Sequence, residues 1–282
     1  MMISVVVPAH NERSVISRTL KTMTAGALPG ELDVIVVCNG CTDDTAAIAR
    51  NFGSPVRVIT TELVGKTVAL NLGDKAATSF PRVYADADVH ITIDVIRSLA
   101  SRLRRGDVLA VAPVASIDLT GCPWRVRAYY EIRSLLPSGR EGIGGSGVYA
   151  LSEAGRSRFP EFPKLTADDG YVRIQFKPEE RETLVSVSST VFAPRTVRDL
   201  IATKTRSQYG SLELASRFPD LWKKKGDNND AALLELFRHP RLWHKLSVYC
   251  FVTIMAKRRA RARMRAGNTA WARDESSRSA IG

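Results

Sequence analysis

Two pairs of acids and one pair of thiols have the residue types and spacing to do chemistry in this chain. Asp86-Ala87-Asp88 closes a short β-type run, Arg82–Ala85. On an extended chain, residues i and i+2 point to the same side, so both carboxylates can serve one site. Hard carboxylate oxygens suit Mg2+ or Mn2+, and such an ion in turn bridges pyrophosphate oxygens. Two acids at a strand end are otherwise simply solvated. Their position adds weight, because they follow three β/α units whose turns offer further polar groups. Asp168 and Asp169, in Thr166-Ala167-Asp168-Asp169, precede a helical segment running to Phe176. An aspartate there also suits a helix N-cap. Cys38 and Cys41 form a CxxC, a spacing that serves zinc or redox chemistry. Cys122 and Cys250 make no second CxxC and the four histidines no zinc-finger spacing, so two small residues in a tight turn is the preferred reading. No disulfide framework is evident, which makes a reducing cytoplasm the default setting.

These residues need a frame to position them. Residues 3–7 (ISVVV), 34–37 and 56–60 are apolar and largely β-branched, the mark of strands buried on both faces. Helices are expected over 15–24, 45–51, 66–77 and 94–104, with further strands at 82–85 and 108–115. Alternating β and α units joined by short polar turns predict a mainly parallel sheet flanked by helices. Ligands bind such sheets at the C-terminal strand ends. There the polar residues collect: Asn11 and Glu12, Asn39 and Asp43, Asp86 and Asp88. After about residue 120 the rhythm changes to a helix over 123–136 and a glycine-rich turn at 142–152 that runs into a strand at 147–151. An alternating strand over 183–192 and a long basic helix over 197–217 follow. No internal repeat or low-complexity linker precedes the tail. The expected layout is one α/β domain over 1–237, with a Rossmann-like nucleotide-binding half (1–118) and an acceptor half (119–237), then a basic amphipathic tail at 238–282.

The order of motifs resembles the family 2 glycosyltransferases of the GT-A fold, over about residues 3–210. The matching pieces are Val7-Pro8-Ala9-His10-Asn11-Glu12, Val37-Cys38-Asn39-Gly40-Cys41-Thr42-Asp43-Asp44, Gly65-Lys66-Thr67-Val68-Ala69-Leu70-Asn71 and Ala85-Asp86-Ala87-Asp88. Gly144-Gly145-Ser146-Gly147, Ala167-Asp168-Asp169 and Lys204-Thr205-Arg206 follow in the second half. The resemblance implies an inverting, metal-dependent transferase. Pro8, Ala9 and Glu12 would hold the nucleoside, with Asp43 in the second turn, and Asn39 would stand where an aspartate often reads the uracil N3–H. Lys66 would neutralise phosphate beside a helix N-terminus, whereas Asn71 reads as structural. Asp88 and Asp86 would carry Mg2+ or Mn2+, and Lys204 or Arg206 would stabilise the diphosphate. Gly144, Gly145, Ser146 and Gly147 would form the acceptor loop. The base would be Asp169 or Asp168, two alignments being open and Asp169 slightly favoured. A UDP-sugar is the first donor expected, and the acceptor is a hydroxyl compound, free or lipid-linked, in cell-envelope glycan or glycolipid synthesis.

Composition bounds the alternatives. The chain has 282 residues, 44% hydrophobic and 25% charged, which excludes wholesale disorder, collagen and a disulfide-stapled miniprotein. Its formal charge is +12, which invites an anionic partner. The charge is uneven: Arg238 to Gly282 holds 11 Lys/Arg against two acids, leaving only +3 for residues 1–237. An apolar, aromatic segment from Pro240 runs into six cations within Lys257–Arg265. That pattern fits an interfacial helix on an anionic leaflet, or a helix packed on the catalytic domain with a solvated basic end. No nucleic-acid-binding motif accompanies the charge, so no nucleic-acid partner is expected. The longest apolar stretch, Leu246–Ala256, reaches about 16 Å at 1.5 Å per residue, half of a bilayer core. With no signal-peptide pattern at the start, a cytoplasmic protein on the inner face of the membrane is expected. The competing classes are a sugar-1-phosphate nucleotidylyltransferase and a catalytically degenerate GT-A binding subunit. The first would want a glycine-rich loop where Pro8–Arg13 has none, and the intact acids argue against the second.

Overall fold

The apolar runs become strands of one sheet. The computed structural model describes residues 2–223 and 229–267, so residues 268–282 of the expected tail lie outside the described residues. The strands are β1 (Ile3–Ala9), β2 (Leu32–Asn39), β3 (Val56–Thr61), β4 (Arg82–Ala85), β5 (Ala110–Asp118), β6 (Val148–Leu151) and β7 (Arg181–Phe192). Their order is β3-β2-β1-β4-β6-β5-β7. The helices up to β6 are α1 (Ile16–Thr24), α2 (Thr45–Arg50), α3 (Lys66–Ala76), α4 (Ile93–Arg104), α5 (Trp124–Leu135) and α6 (Pro137–Arg140). Beyond it come α7 (Glu153–Arg156), α8 (Asp168–Ile174), α9 (Val197–Arg217), α10 (Pro219–Trp222), α11 (Asp230–Phe237) and α12 (Trp243–Arg265).

β1 lies between β2 and β4, parallel to both, and all seven of its residues are buried. A strand covered on both faces can be apolar throughout, which explains its unbroken run. β3 is also parallel to β2, but at the sheet edge only Val56 is buried. The expected parallel order therefore holds from β1 to β4, and β6 departs from it by running antiparallel to both β4 and β5. Direction is not written in a four-residue apolar run, because Val-Tyr-Ala-Leu reads alike either way. The flanking helices present apolar faces at spacings of three and four: Ile16, Leu20 and Met23 on α1, and Ile96, Leu99 and Leu103 on α4. Each such side chain contributes about 1.5–3 kcal/mol relative to exposure.

Several polar groups inside this layer converge on one carboxylate. Asp74 of α3 accepts from the Tyr84 hydroxyl (2.5 Å), from Arg156 Nε (2.8 Å) and from Arg82, which forms an ion pair with it. Arg82 also lies over the Phe80 ring and Arg156 over Phe159, at 4.2 and 4.5 Å. One carboxylate thus joins α3, β4 and α7. Burial pushes the Asp74 carboxyl up, but its bonds from Tyr84, Arg156 and Arg82 outweigh that and hold it below the usual range.

The chain divides into two compact units. The first takes the chain up to Ser116, Gly142–Lys164 and Gln175–Val191; the second takes Ile117–Glu141, Leu165–Ile174 and the chain from Phe192 on. These bounds differ from a cut at 118/119, because two later segments return to the first unit through β6 and β7. In the second unit α5, α9 and α12 share a core of Val126, Tyr129, Ile132, Leu200, Leu246 and Val252. Tyr129 stacks on Tyr249 at 5.2 Å, and Lys245 pairs with Glu131. α12 is therefore an integral helix of this unit and not a separate tail from residue 238. Its sidedness is also not the simple apolar/basic division expected. Leu246, Tyr249, Val252, Ala256 and Ala260 are buried, yet Trp243, Phe251 and Ile254 are exposed on the far side.

Candidate active site

In the first unit, the turns after β1 and β2 are bound to each other. Asn39 is buried; its Nδ2 donates to the Ala9 carbonyl (2.8 Å) and its Oδ1 accepts from Gly65 N–H (3.0 Å). The amide expected to read a base edge is thus engaged with the backbone of β1 and of the turn before α3. Pro8 and Ala9 are buried in β1. Glu12 is buried as well; its N–H donates to Thr45 Oγ1 (2.7 Å) and its carbonyl receives the Val15 and Ile16 N–H groups that start α1. The Asp43 carboxylate accepts from Thr45 N–H (3.0 Å), the Thr45 hydroxyl (2.5 Å) and Arg13 N–H (3.2 Å). Burial raises its pKa, and these bonds more than reverse the effect, leaving it below the usual carboxylate range. Cys38 and Cys41 are both free thiols, and Cys41 Sγ accepts from Asn11 N–H at 3.4 Å. A hydrogen bond from Cys38 draws the Cys41 thiol down to about 6. Asn11 itself has φ of 52°, a left-handed conformation that asparagine tolerates.

The Asp86-Ala87-Asp88 segment is a turn and not an extended strand end. β4 stops at Ala85, and Val89 N–H donates back to the Asp86 carbonyl (3.3 Å). Ala87 is buried, its carbonyl accepting from the Thr19 hydroxyl (2.8 Å), while the two acids remain half-exposed. Lys66 Nζ lies 2.7 Å from Asp86 Oδ1, so the expected phosphate cation meets the acid turn directly. The glycine loop arrives from sixty residues away. Asp86 N–H donates to the Gly147 carbonyl (2.9 Å), and a Cβ on Gly147 would lie 2.4 Å from Val89 Cγ2 with φ at +66°. Only glycine fits there. Ser146 is fully buried and its hydroxyl donates within the loop, to Gly142 and Val148 carbonyls, so it shapes the loop from inside. Gly144 has φ of +96°, and Gly145 N–H donates to the Gly142 carbonyl. Arg18 of α1, which no sequence motif marks, lies near enough to Asp88 for their charges to attract.

These residues fit a divalent cation. Asp86 and Asp88 offer hard oxygens in an accessible turn, and among the described residues no three His, Cys, Asp or Glu side chains gather into a closed metal cage. Mg2+ or Mn2+ held by one or two carboxylates would complete its shell with water and diphosphate oxygens.

In the second unit, α8 opens with the other acid pair. Asp168 is buried, at 4% exposure, and Asp169 is half-exposed, its Oδ1 accepting from Gly170 N–H (2.7 Å). The preceding turn is packed on α9: Thr166 N–H donates to Glu213 (2.9 Å), and Ala167 lies against Gly210. A Cβ on Gly210 would stand 2.6 Å from Ala167 Cβ and 3.2 Å from its nitrogen. Gly210→Ala should therefore displace the acid turn, with an overpacking cost of about 1–3 kcal/mol. A fall in melting temperature accompanied by reduced turnover is the expected result; unchanged turnover would show that the turn tolerates displacement. Gly210 and Glu213 are the positioning residues that motif reading missed, and their i, i+3 spacing on a predicted helix was the one available signal. Lys204 and Arg206 sit two apart on α9, about 200° around the helix. The Lys204 ammonium lies 5.2 Å from the Tyr130 ring and 5.6 Å from that of Tyr129, a cation–π arrangement. Burial first, then the charges of Arg133 and Arg206, push its pKa well down.

Residues 4–150, about half of the chain, match the family described as Glycosyl transferase family 2. Two staphylococcal proteins, both named 4,4'-diaponeurosporenoate glycosyltransferase, are similar in sequence. The one from Staphylococcus aureus is 32% identical over 169 residues, covering 58% of this chain and 43% of that protein. The one from Staphylococcus haemolyticus is 30% identical over 121 residues, covering 39% of this chain and 32% of that protein. The chain thus spans less than half the length of these relatives. Among solved structures, a mannosyltransferase from Pyrobaculum calidifontis, in complex with GDP-Man and Mn2+, shares the fold with a TM-score of 0.61 at 20% identity, over 96% of this chain and 76% of that one. Glucosyl-3-phosphoglycerate synthase from Mycobacterium tuberculosis, in complex with Mn2+, UDP-Glc and phosphoglyceric acid, gives 0.55 at 22% identity, over 77% and 79%.

Proposed function

Because this chain belongs to glycosyl transferase family 2, we propose that it transfers a sugar with inversion from a nucleotide-diphosphate sugar to a hydroxyl acceptor. The observation that carries the reading is the meeting of Asp86, Lys66 and Gly147 at the end of β4, in a sheet whose β1, β2 and β4 run parallel. Glycosyltransferase relatives and fold neighbours solved with GDP-Man or UDP-Glc beside Mn2+ support it.

The chemistry assigns each group a task. Asp169, the accessible acid of α8, takes the proton of the acceptor hydroxyl as its oxygen attacks the anomeric carbon. The bond from that carbon to the diphosphate oxygen breaks, and the nucleoside diphosphate leaves from the opposite face. Mg2+ or Mn2+ at Asp88, with Asp86, would neutralise the negative charge of the leaving diphosphate. Lys66 adds a cation beside the acid turn, Arg206 is assigned the same charge-neutralising task, and the turns around Ala9, Glu12 and Asp43 hold the nucleoside. Asn39 acts by fixing those turns, so base choice rests on the pocket they form, with a UDP-sugar as the first donor to try. The acceptor is placed in cell-envelope glycan or glycolipid synthesis, and a lipid-linked hydroxyl would bring the enzyme to the inner face of the membrane. No helix among the described residues is long and apolar enough to cross a membrane.

A thermal-shift panel of UDP-, GDP- and dTDP-sugars with Mg2+ or Mn2+ tests this. Stabilisation by one donor class that needs the metal and disappears in Asp88→Ala is expected. Equal response to all nucleotides without metal would exclude the donor site.

A further inference from the structure

We propose that the outward stripe of α12 is a docking surface for an anionic lipid leaflet. The proposal deepens the reading of a peripheral enzyme by naming the surface and its recognition chemistry. α12 buries its inner face through Leu246, Tyr249, Val252, Ala256 and Ala260, the first three within the core of the second unit. A helix needs only one buried face to be held in place. Its opposite side should then be polar along its whole length, and it is not. Trp243, Phe251 and Ile254 stand 57%, 55% and 54% exposed there, and Arg258, Arg261 and Arg265 continue the same line at spacings of three and four.

The apolar end is broader than one helix. Leu234 and Phe237 of the neighbouring α11 are also exposed, and Trp243 Nε1 donates to the Phe237 carbonyl (2.9 Å), tying the two helices together. That bond satisfies the indole's polar group, so its ring is presented as apolar surface. The stripe from Trp243 to Arg265 is about 33 Å long at 1.5 Å per residue and lies on a helix already packed along its other side. It can therefore only lie along a surface.

Charge complementarity selects the occupant. Apolar rings followed by a row of arginines match a leaflet, where the rings enter the boundary of headgroups and acyl chains and the guanidinium groups meet lipid phosphates. A nucleic acid would engage the arginines and leave the rings in water. A second copy of the same face would bring like charges together. Surface-bound cations each strengthen leaflet binding roughly fivefold, so three of them give a factor on the order of a hundred.

The test is sedimentation of the full chain with vesicles of phosphatidylcholine, with or without phosphatidylglycerol. Binding to the anionic vesicles is expected, weakening with salt. It should fall on the order of a hundredfold in Arg258→Glu/Arg261→Glu/Arg265→Glu and at least tenfold in Phe251→Ser/Ile254→Ser. All of these positions are exposed, and an unchanged melting temperature and donor-induced thermal shift would show that fold and donor site survive. Anionic-vesicle binding that neither variant weakens would overturn the docking face while leaving a peripheral enzyme possible. Absence of binding to either vesicle would overturn both. Preferential uptake of duplex DNA, or a dimer that dissociates in Phe251→Ser/Ile254→Ser, would reassign the face to those partners and overturn the proposal. Donor binding is measured separately, so its loss would count against the transferase reading alone.

Discussion

Asp169→Asn is expected to lower turnover by about 10²–10⁴-fold, the range for removing a general base, with little change in donor binding. The amide keeps the size and one acceptor oxygen of the carboxylate but cannot take the acceptor's proton. Asp168→Asn should behave differently. Asp168 is buried in the first turn of α8, whereas Asp169 is half-exposed. Disturbing a buried hydrogen-bonding group costs about 1–3 kcal/mol, so this variant should lose stability and keep turnover within about tenfold of the parent. Single-turnover rates beside melting curves for both variants separate the roles. If Asp169→Asn turns over at the parental rate, the base lies elsewhere; if Asp168→Asn alone is inactive yet folded, the two assignments must be exchanged.

Asp74→Ala should be among the most destabilising single changes in the first unit, by about 3–5 kcal/mol. It leaves two guanidinium groups, of Arg82 and Arg156, whose side chains are 7% and 11% exposed, with backbone carbonyls but without their counter-ion, and removes the partner of the Tyr84 hydroxyl. Asp74→Asn should cost less, because it still offers one oxygen. The native carboxyl titrates below its unfolded value of about 3.9, so its stabilising contribution is complete above that pH and is lost as pH falls through the folded-state value. Denaturant midpoints from pH 7 down to acid should therefore converge for parent and Asp74→Asn. A constant gap down to the lowest pH would show that the charge on Asp74 is not what stabilises the hub.

The frame around the candidate acids is legible early because each acid sits in a short segment of distinctive pattern. A buried strand followed by a polar turn announces itself in residues 3–12 and 34–43, since periodicity and turn residues are local properties. The helix over 197–217 was readable in the same way and forms with those bounds. Less legible was what each polar side chain would bind. Asn39 looks like a ligand contact by position, yet its amide meets Gly65 and Ala9, partners 26 and 30 residues away. Lys66 looks like a phosphate cation and pairs with Asp86. Lys204 looks like another and lies over two tyrosine rings. In each case the partner comes from a different element, which sequence spacing does not encode.

The sequence by itself determined the alternating α/β core, the places of its turns and the acids at their ends. Those follow from local hydrophobic period and from residue types whose chemistry does not depend on neighbours. Tertiary structure decided the direction of β6, the burial of Asp168 beside the accessible Asp169, and the meeting of Gly147 with Asp86. It also decided that α12 packs through one face and leaves an aromatic and basic line on the other. Burial and pairing are properties of what lies opposite a side chain, and only the folded chain brings that partner into place.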